Sequence, residues 1–323
     1  MKKNFKKSKF VILPALATLV LTGVASVTGT VAWFTANRAV TVNGMKLKAK
    51  AGSNLLIAGD TLDNSVKKAD SDFSSSLTQT VNVEELAPAS TVDGKNFFYT
   101  ENAKADGSIE TGGKYLKAEN SSETNGKKYY VDYVFQLKAI NTETGAQELY
   151  IDKIEISYAN AADETDKKNL ESAAKAFRCA FFIESARTTT GSEFTADTTT
   201  VSKENGGLKF IYTPNGALNQ SSGKAVSKAT SDAEADSVLA EVQYLSSKSA
   251  YASVATGTHY YKGVARLWLE VEDKSCTNDL FKTASNEWSF DLGFRLGHLN
   301  TTTEGELAQT NIAVNVTIAT LQA

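Results

Sequence analysis

The side chains that could act as nucleophiles, general bases or zinc ligands are few in this sequence of 323 residues. The only imidazoles are His259 and His298, and the only thiols are Cys179 and Cys276. No serine-hydrolase, zinc-protease, phosphate-loop or dinucleotide-binding motif accompanies them, and no set of three nitrogen or sulfur ligands with zinc-like spacing is evident. We therefore expect no catalytic residues and no enzyme, with each histidine making only local hydrogen bonds.

The two cysteines could form a disulfide if the chain is exported. Cys179 falls on the inward face of one predicted strand, and Cys276 follows another. A bridge between them would close a loop of about 97 residues, which stabilises by up to about 4–5 kcal/mol in the chain-entropy model. The alternative is two separate thiols that fill small apolar spaces, because free cysteine is often buried.

An acidic group further along the chain could bind a hard cation. Glu270, Glu272, Asp273 and Asp279 are close in sequence, and Ca²⁺ prefers several carboxylate and carbonyl oxygens on one loop. Their spacing lacks the EF-hand pattern and its central glycine. The set is a calcium candidate whose alternative is a solvated loop, and we expect no other cofactor.

Charge divides the chain into two unlike parts. Residues 1–59 contain nine Lys or Arg and no Asp or Glu, whereas residues 60–323 contain 25 basic and 37 acidic residues. Such an acidic body suits an extracellular protein and disfavours binding to nucleic acid or to anionic lipid. We expect no nucleic-acid partner.

At the amino end, a basic stretch, an uncharged run and small residues follow one another in the order that is typical of a secretion signal. Five lysines precede an uncharged run over residues 10–32, and such a run can enter a bilayer. Thr30 and Ala32 place small side chains at positions −3 and −1 of a cut before Trp33. We predict a signal peptide over residues 1–32 that is cleaved between Ala32 and Trp33. If the signal stays uncut, the same run is long enough to anchor the chain in a membrane.

Apolar side chains alternate with polar ones through much of the remaining sequence. Met45, Leu47 and Ala49 alternate with lysines, which is the pattern of a half-buried strand. Further strand patterns occupy residues 129–139, 149–158, 177–183, 261–271, 288–296 and 312–318. The alternation breaks at Asp152-Lys153, which predicts a β-bulge. Such strands, without alternating helices, predict an all-β fold of antiparallel sheets packed as a sandwich.

One helix is predicted within this all-β chain. Leu170, Ala173 and Phe177 recur at helical spacing around residues 163–176, and acidic side chains fall in the first turn, where the helix dipole favours them. We expect this helix to cross one end of the sandwich. Residues 232–245 carry a weaker helical pattern.

Two long segments read as insertions into one domain. Residues 60–128 and 185–258 are rich in Ser, Thr, Gly, Asn, Lys and Asp, and their apolar residues are too sparse for core strands throughout. No linker divides the mature chain. We predict a single sandwich domain over residues 33–323 that carries both insertions.

A short motif at the end of the signal supports a family resemblance. The run Gly29-Thr30-Val31-Ala32-Trp33-Phe34-Thr35 resembles the end of the signal peptides that precede secreted proteins of the TasA/camelysin family in Gram-positive bacteria and that depend on a SipW-type signal peptidase. The order of strands and helix in the mature chain is also similar to TasA. This resemblance implies a jelly-roll-like sandwich, a biofilm-matrix fibre as the product, and the SipW-type peptidase as a partner.

The mature amino terminus begins with an apolar, strand-like segment over residues 33–44. A strand at a free end can complete its own sheet, or it can insert into the open edge of a neighbouring molecule by donor-strand exchange. Head-to-tail insertion that does not close into a ring adds one copy after another and therefore forms a fibre. The residues expected to form the donor strand are Trp33, Phe34, Ala39, Val40, Thr41 and Val42.

These observations together predict a secreted structural subunit at the surface of a Gram-positive-type bacterium. Its main partner would be a second copy of itself, with other matrix proteins or polysaccharide as further partners, and it would contact a membrane only through an uncleaved signal. One alternative is a monomeric adhesion or ligand-binding module, whose Ser/Thr/Gly-rich insertions would contact glycan or protein. Another, implied by the resemblance to camelysin, is a secreted metallopeptidase.

Overall fold

The computed structural model of this chain consists mainly of β-strands, with one short α-helix. It describes residues 40–52, 54–61, 68–91, 94–99, 115–118, 128–183, 208–214, 223–226, 234–235, 239–242, 251–271, 273, 275–276, 288–298 and 311–319. In chain order the strands are β1 (Val40–Ala51), β2 (Leu55–Gly59), β3 (Ser76–Leu86), β4 (Phe98–Tyr99), β5 (Tyr115–Lys117), β6 (Val131–Asn141), β7 (Gln147–Ala161), β8 (Phe177–Ile183), β9 (Leu208–Tyr212), β10 (Gly223–Val226), β11 (Glu234–Ala235), β12 (Leu239–Val242), β13 (Ala252–Val254), β14 (Gly257–Leu269), β15 (Trp288–Gly297) and β16 (Ala313–Ile318).

Two principal sheets contain most of these strands. Sheet A has the order β13-β7-β15-β1-β3, and β16 also pairs with β7. Sheet B has the order β2-β6-β14-β8-β9. The remaining strands form two small sheets, β11-β5-β4 and β10-β12. The all-β prediction is therefore confirmed.

The two principal sheets pack against each other through their inward side chains. The ring of Phe135 on β6 lies 5.1 Å from that of Phe294 on β15, and the ring of Phe181 on β8 lies 5.7 Å from the same Phe294 ring. All three side chains are buried. Tilted ring pairs at this distance stabilise beyond the area they bury, so the aromatic residues fix a sandwich-like arrangement.

The bulge predicted at Asp152-Lys153 is present. Lys153 pairs with Gly293 and Ile151 pairs with Phe294, so that Asp152 is the extra residue on β7. The bulge keeps Ile151 and Ile154 both buried although an odd number of positions, three, lies from one to the other.

The expectation of purely antiparallel sheets is corrected at both ends of the described chain. β1 runs parallel to β15, and β16 runs parallel to β7. A parallel pair needs a long connection instead of a hairpin turn. Both parallel pairs meet this condition, because β1 is far from β15 in sequence and β16 is far from β7.

The predicted helix is confirmed as α1 (Glu164–Ala173), followed by a 3-10 turn over Ala174–Ala176. Asp163 caps it by accepting hydrogen bonds from the backbone N–H of Thr165 and Asp166, both at 2.8 Å. Leu170 is buried on the inner side. The helix connects β7 of sheet A to β8 of sheet B and therefore crosses between the two layers.

The weaker helical pattern at residues 232–245 was misleading, because the described parts of this segment are the strands β11 and β12. Short strands need cross-strand partners that a local pattern does not contain. The two segments expected to be insertions also supply strands to the principal sheets. β3 lies at the edge of sheet A, and β9 lies at the edge of sheet B.

A cover segment, defined as residues 87–91 and 94–99, lies on the outer face of sheet B. Its backbone is fixed to β14 by the hydrogen bond from Ala89 N–H to the Leu269 carbonyl at 3.0 Å. Phe97 packs edge-on against Trp268 with ring centroids 5.6 Å apart. This contact creates a second apolar core, so that outward-facing side chains of sheet B are buried as well.

Candidate functional site

The strand that begins the described chain, β1, occupies an interior position in sheet A between β15 and β3. Met45 and Leu47 are buried against the main core, whereas Lys46 and Lys48 are exposed. The alternation predicted from sequence is confirmed here. In this structure the strand completes the sheet of its own chain, which is one of the two outcomes that the sequence allowed.

The two halves of β1 differ in how they are paired. Residues 46–51 pair with β3 on one side and with β15 on the other, from Lys46 opposite Ser289 to Ala51 opposite Phe294. Within the described residues, residues 40–45 pair with β3 alone, and the register shifts on either side of Val42. Among the described residues, the pairing of the amino-terminal half with β3 is therefore less regular than that of the other half.

A tight corner fixes the carboxyl-terminal half of β1 in place. Only residues 52–54 separate β1 in sheet A from β2 in sheet B. Gly52 N–H donates to the Phe294 carbonyl at 2.9 Å, and Asn54 adopts a φ of 64°, a left-handed conformation that Asn tolerates better than most residues. Residues 46–51 are therefore connected to β2 by a short corner that is itself hydrogen bonded to β15.

Of the predicted donor-strand residues, Val40, Thr41 and Val42 lie in β1, where Val40 pairs with Leu86 and Val42 pairs with Val83. The other predicted donor residues and the predicted cleavage position lie outside the described residues, namely Ala32, Trp33, Phe34 and Ala39.

Cys179 and Cys276 are not joined by a disulfide in the structure. Cys179 is fully buried in the main core, and Cys276 is partly buried at its margin. Burial, together with the negative charge of Asp132, raises the pKa of the Cys179 thiol well above its ordinary value. The arrangement corresponds to the alternative of two separate thiols rather than a bridge.

The acidic residues proposed for calcium are only partly described, because Glu272 and Asp279 lie outside the described residues. Asp273 is buried, and both of its carboxylate oxygens are engaged. Oδ2 accepts from Arg178 Nη2 at 2.6 Å and Oδ1 accepts from the backbone N–H of Ser275 at 2.9 Å. Glu270 is also buried and accepts from Trp268 Nε1 at 3.3 Å. In the described part of the chain, no three His, Cys, Asp or Glu residues lie together as a metal site would require.

The two histidines lie near the same end of the sandwich. His298 follows β15, and its Nε2 lies 2.8 Å from Oε2 of Glu143 in the β6–β7 turn. Both side chains are exposed. His259 lies on β14 and is nearly buried. The partner of His298 is therefore 155 positions away in the sequence, so this contact is not a local one.

A buried ion pair lies between β14 and β6 on the outer face of sheet B. Arg266 and Asp132 are directly opposite in register. The guanidinium forms two hydrogen bonds with the carboxylate, from Nε and from Nη2, each 2.8 Å long. Nη1 donates to the Gly94 carbonyl of the cover segment at 3.0 Å, and the guanidinium lies 3.8 Å from the centroid of the Tyr130 ring. Bidentate pairing and ring stacking are the contacts for which arginine is best suited. Because Arg266 bonds to both Asp132 and the Gly94 carbonyl, it joins the cover segment to sheet B.

A second set of buried polar side chains spans three strands of sheet B. Lys262 on β14 is directly opposite Gln136 on β6, and Asp60 follows β2 on the other side of β6. Lys262 Nζ lies 3.3 Å from Asp60 Oδ2, and Gln136 Nε2 donates to the same oxygen at 2.9 Å. Both charged side chains are only 1% exposed. One carboxylate oxygen of Asp60 therefore contacts both the Lys262 amino group and the Gln136 carboxamide.

Sequence reasoning predicted the strand over residues 261–271 but did not identify its buried charges. Lys262, Arg266 and Glu270 occur every fourth residue in a run that is otherwise mainly apolar. This spacing places them on one face of a strand. The spacing alone does not separate a solvated face from a covered one, because the cover segment comes from residues more than 160 positions earlier.

Comparison of the chain with protein-family models, curated proteins and solved structures gives no match. Among the described residues, no helix is both long and apolar enough to span a membrane.

Proposed function

We propose that this chain is a secreted structural subunit of an extracellular fibre or biofilm matrix, and that copies assemble head to tail by exchanging their amino-terminal strands. The donor in this proposal is the segment over residues 33–44, and the acceptor is the edge of β3 with the adjoining end of β15 in the next copy. The chain would act at the surface of a Gram-positive-type bacterium after removal of residues 1–32.

The observation that carries this proposal is the irregular pairing of the first half of β1 with β3. Within the described residues, residues 40–45 pair with β3 through two register shifts, while residues 46–50 pair with β3 in regular register and residues 46–51 also pair with β15. Exchange of residues 33–44 between copies would preserve the same backbone ladder, because main-chain hydrogen bonding does not depend on which copy supplies the strand. The energetic difference between self-pairing and exchange would then be small.

The part of β1 that is not exchanged in this proposal supplies core side chains to its own domain. Met45, Leu47 and Ala49 are the described buried side chains of β1, and all three lie after the exchanged segment. The corner at residues 52–54 ties this retained half to β2. A subunit could therefore donate its first strand and remain folded, as a fibre requires.

The order of the strands supports the jelly-roll-like form of the sandwich that the proposal includes. Successive strands repeatedly change sheet: β1 lies in sheet A, β2 in sheet B, β3 in sheet A, β6 in sheet B and β7 in sheet A. Such crossing between layers is a feature of jelly rolls.

The test compares chains that begin at residue 33 and at residue 45, each at several concentrations, by negative-stain electron microscopy and sedimentation. We expect the longer chain to form filaments above a threshold concentration and the shorter chain to stay monomeric with the same far-ultraviolet circular dichroism.

A matched control is Lys48→Ala in the longer chain, which removes an exposed side chain from the retained half of β1 and should leave filaments intact. Filaments from the shorter chain would overturn the proposal, as would a longer chain that stays monomeric at every concentration.

A further inference from the structure

We propose that Lys262 and Gln136 become joined by a covalent amide bond, with Asp60 as the proton-transfer group. The bond would link β14 to β6 on the outer face of sheet B. This inference rests on three buried side chains and does not depend on the proposed fibre function.

The geometry brings a nucleophile, an acyl group and a proton carrier together. Lys262 and Gln136 are cross-strand partners in register, so their side chains leave the sheet side by side on one face. Lys262 Nζ lies 3.3 Å from Asp60 Oδ2, and Gln136 Nε2 lies 2.9 Å from that same atom. Asp60 thus contacts both the attacking nitrogen and the nitrogen that must leave.

The three side chains are shielded from solvent. The side chains of Lys262 and Asp60 are each 1% exposed, and Gln136 is 4% exposed. Two buried charges carry a desolvation cost that their attraction offsets only in part. Among the described residues, Asp60 Oδ1 is buried and has no hydrogen-bond partner. The carboxyl group is therefore incompletely satisfied as an ion and has an oxygen that can carry a proton.

The chemical step balances without an oxidant or a cofactor. The Lys262 ammonium first gives one proton to Asp60, which leaves a neutral amine and a carboxylic acid. The amine Nζ then attacks Cδ of Gln136, and the bond between Cδ and Nε2 breaks. Asp60 passes protons from the attacking nitrogen to the departing one. Nε2 leaves as ammonium, Asp60 returns to a carboxylate, and Lys262 and Gln136 share one secondary amide.

The fold holds the two reacting side chains next to each other on paired strands. Holding two reactants in register on neighbouring strands replaces a bimolecular encounter by an intramolecular one, which accounts for large rate factors in positioned reactions. After the reaction the buried lysine charge is gone. The new amide N–H lies where Nζ was and can donate to Asp60, so the product removes an ion pair from the core while keeping a hydrogen bond.

The test is the intact mass of the full chain, purified as expressed, fully denatured and reduced, with its amino terminus located by peptide sequencing. We expect the mass to be lower than that of the sequence by one molecule of ammonia. A proteolytic digest should contain one cross-linked species that joins the peptide of Gln136 to the peptide of Lys262, with Lys262 resistant to trypsin.

Two variants and one internal control complete the design. Asp60→Asn and Lys262→Met should each restore the full sequence mass, since the first removes the proton carrier and the second removes the nucleophile. Gln147 is a buried glutamine that hydrogen bonds to Glu143, and it should be recovered unmodified from the same digest. A wild-type chain at its full sequence mass would overturn the proposal. So would a loss of water with Lys262 joined to Asp60, which would make Asp60 the acyl group.

Discussion

Gly263 on β14 faces the ring of Phe135 on β6 so closely that a Cβ built at Gly263 would lie 2.5 Å from Cε2 of that ring. The two residues are directly opposite in register. Phe135 needs this space because it also packs against Phe181 and Phe294 in the main core. The glycine is therefore required by packing rather than by a turn.

Gly263→Ala should destabilise the fold by about 1–3 kcal/mol, the usual cost of overpacking a filled core. The change in the urea midpoint at constant slope measures this cost. Gly145→Ala is the matched control, because a Cβ at Gly145 meets no atom within 4 Å, and it should change the midpoint little. Equal midpoints for the two variants would contradict this account of Gly263.

Asp132→Ala should destabilise the fold by about 3–5 kcal/mol, because it leaves the buried Arg266 guanidinium without its carboxylate. The two bonds of 2.8 Å between these residues would both be lost. Chemical denaturation measures the effect. Lys153→Ala provides the comparison, since Lys153 is exposed in its pairs with Glu155 and Asp291, and such a change should cost less than about 1 kcal/mol.

Tyr261→Phe should leave stability unchanged or raise it by about 1 kcal/mol. The Tyr261 hydroxyl is buried and has no hydrogen-bond partner among the described residues, and an unsatisfied buried polar group carries a desolvation cost. Tyr212→Phe should instead destabilise the fold, because the Tyr212 hydroxyl is hydrogen bonded to the Tyr251 hydroxyl. Thermal unfolding of both variants checks the pair, and a loss of stability in Tyr261→Phe would show that its hydroxyl is satisfied in solution.

Alkaline pH should destabilise the fold. Burial raises the pKa of Tyr261 from 10.0 to about 12, and it also raises the pKa values of Cys179, Tyr133, Tyr212 and Tyr251. Above the unfolded-state values of 9.0 for Cys and 10.0 for Tyr, the unfolded chain binds fewer protons than the native chain, so stability falls with rising pH. The stabilisation is complete below these values.

We therefore expect the melting temperature to begin falling near pH 9 and to keep falling toward pH 12. A melting temperature that stays constant or rises across this window would contradict the assignment of these groups to the buried core. Native labelling with a thiol reagent offers a second measurement, in which Cys276 should react before the fully buried Cys179.

Addition of Ca²⁺ should leave the melting temperature unchanged. Both oxygens of Asp273 already accept hydrogen bonds, from Arg178 and from Ser275, and a cation would have to break a buried ion pair to bind there. Thermal unfolding with excess Ca²⁺ and with a chelator measures this. A rise in melting temperature that depends on Ca²⁺ concentration would instead support the calcium site considered from sequence.

Local patterns in the sequence were sufficient to predict several elements correctly. The alternation from Met45 to Ala49 gave the buried face of β1, the break at Asp152 gave the bulge, and Asp163 with the apolar spacing after it gave α1. Each of these features depends on residues that are close in the chain. The weaker pattern at residues 232–245 failed because short strands depend on distant partners.

The sequence by itself determined that the chain is mainly β and which residues share a strand face, because a period of two is a local property of the extended backbone. Only the tertiary structure decided that Lys262, Arg266 and Asp60 are buried, since their burial depends on how distant strands and the cover segment pack over sheet B. It also decided that β1 pairs in parallel with β15 and β16 with β7, because the direction of each pairing depends on a strand that is distant in sequence.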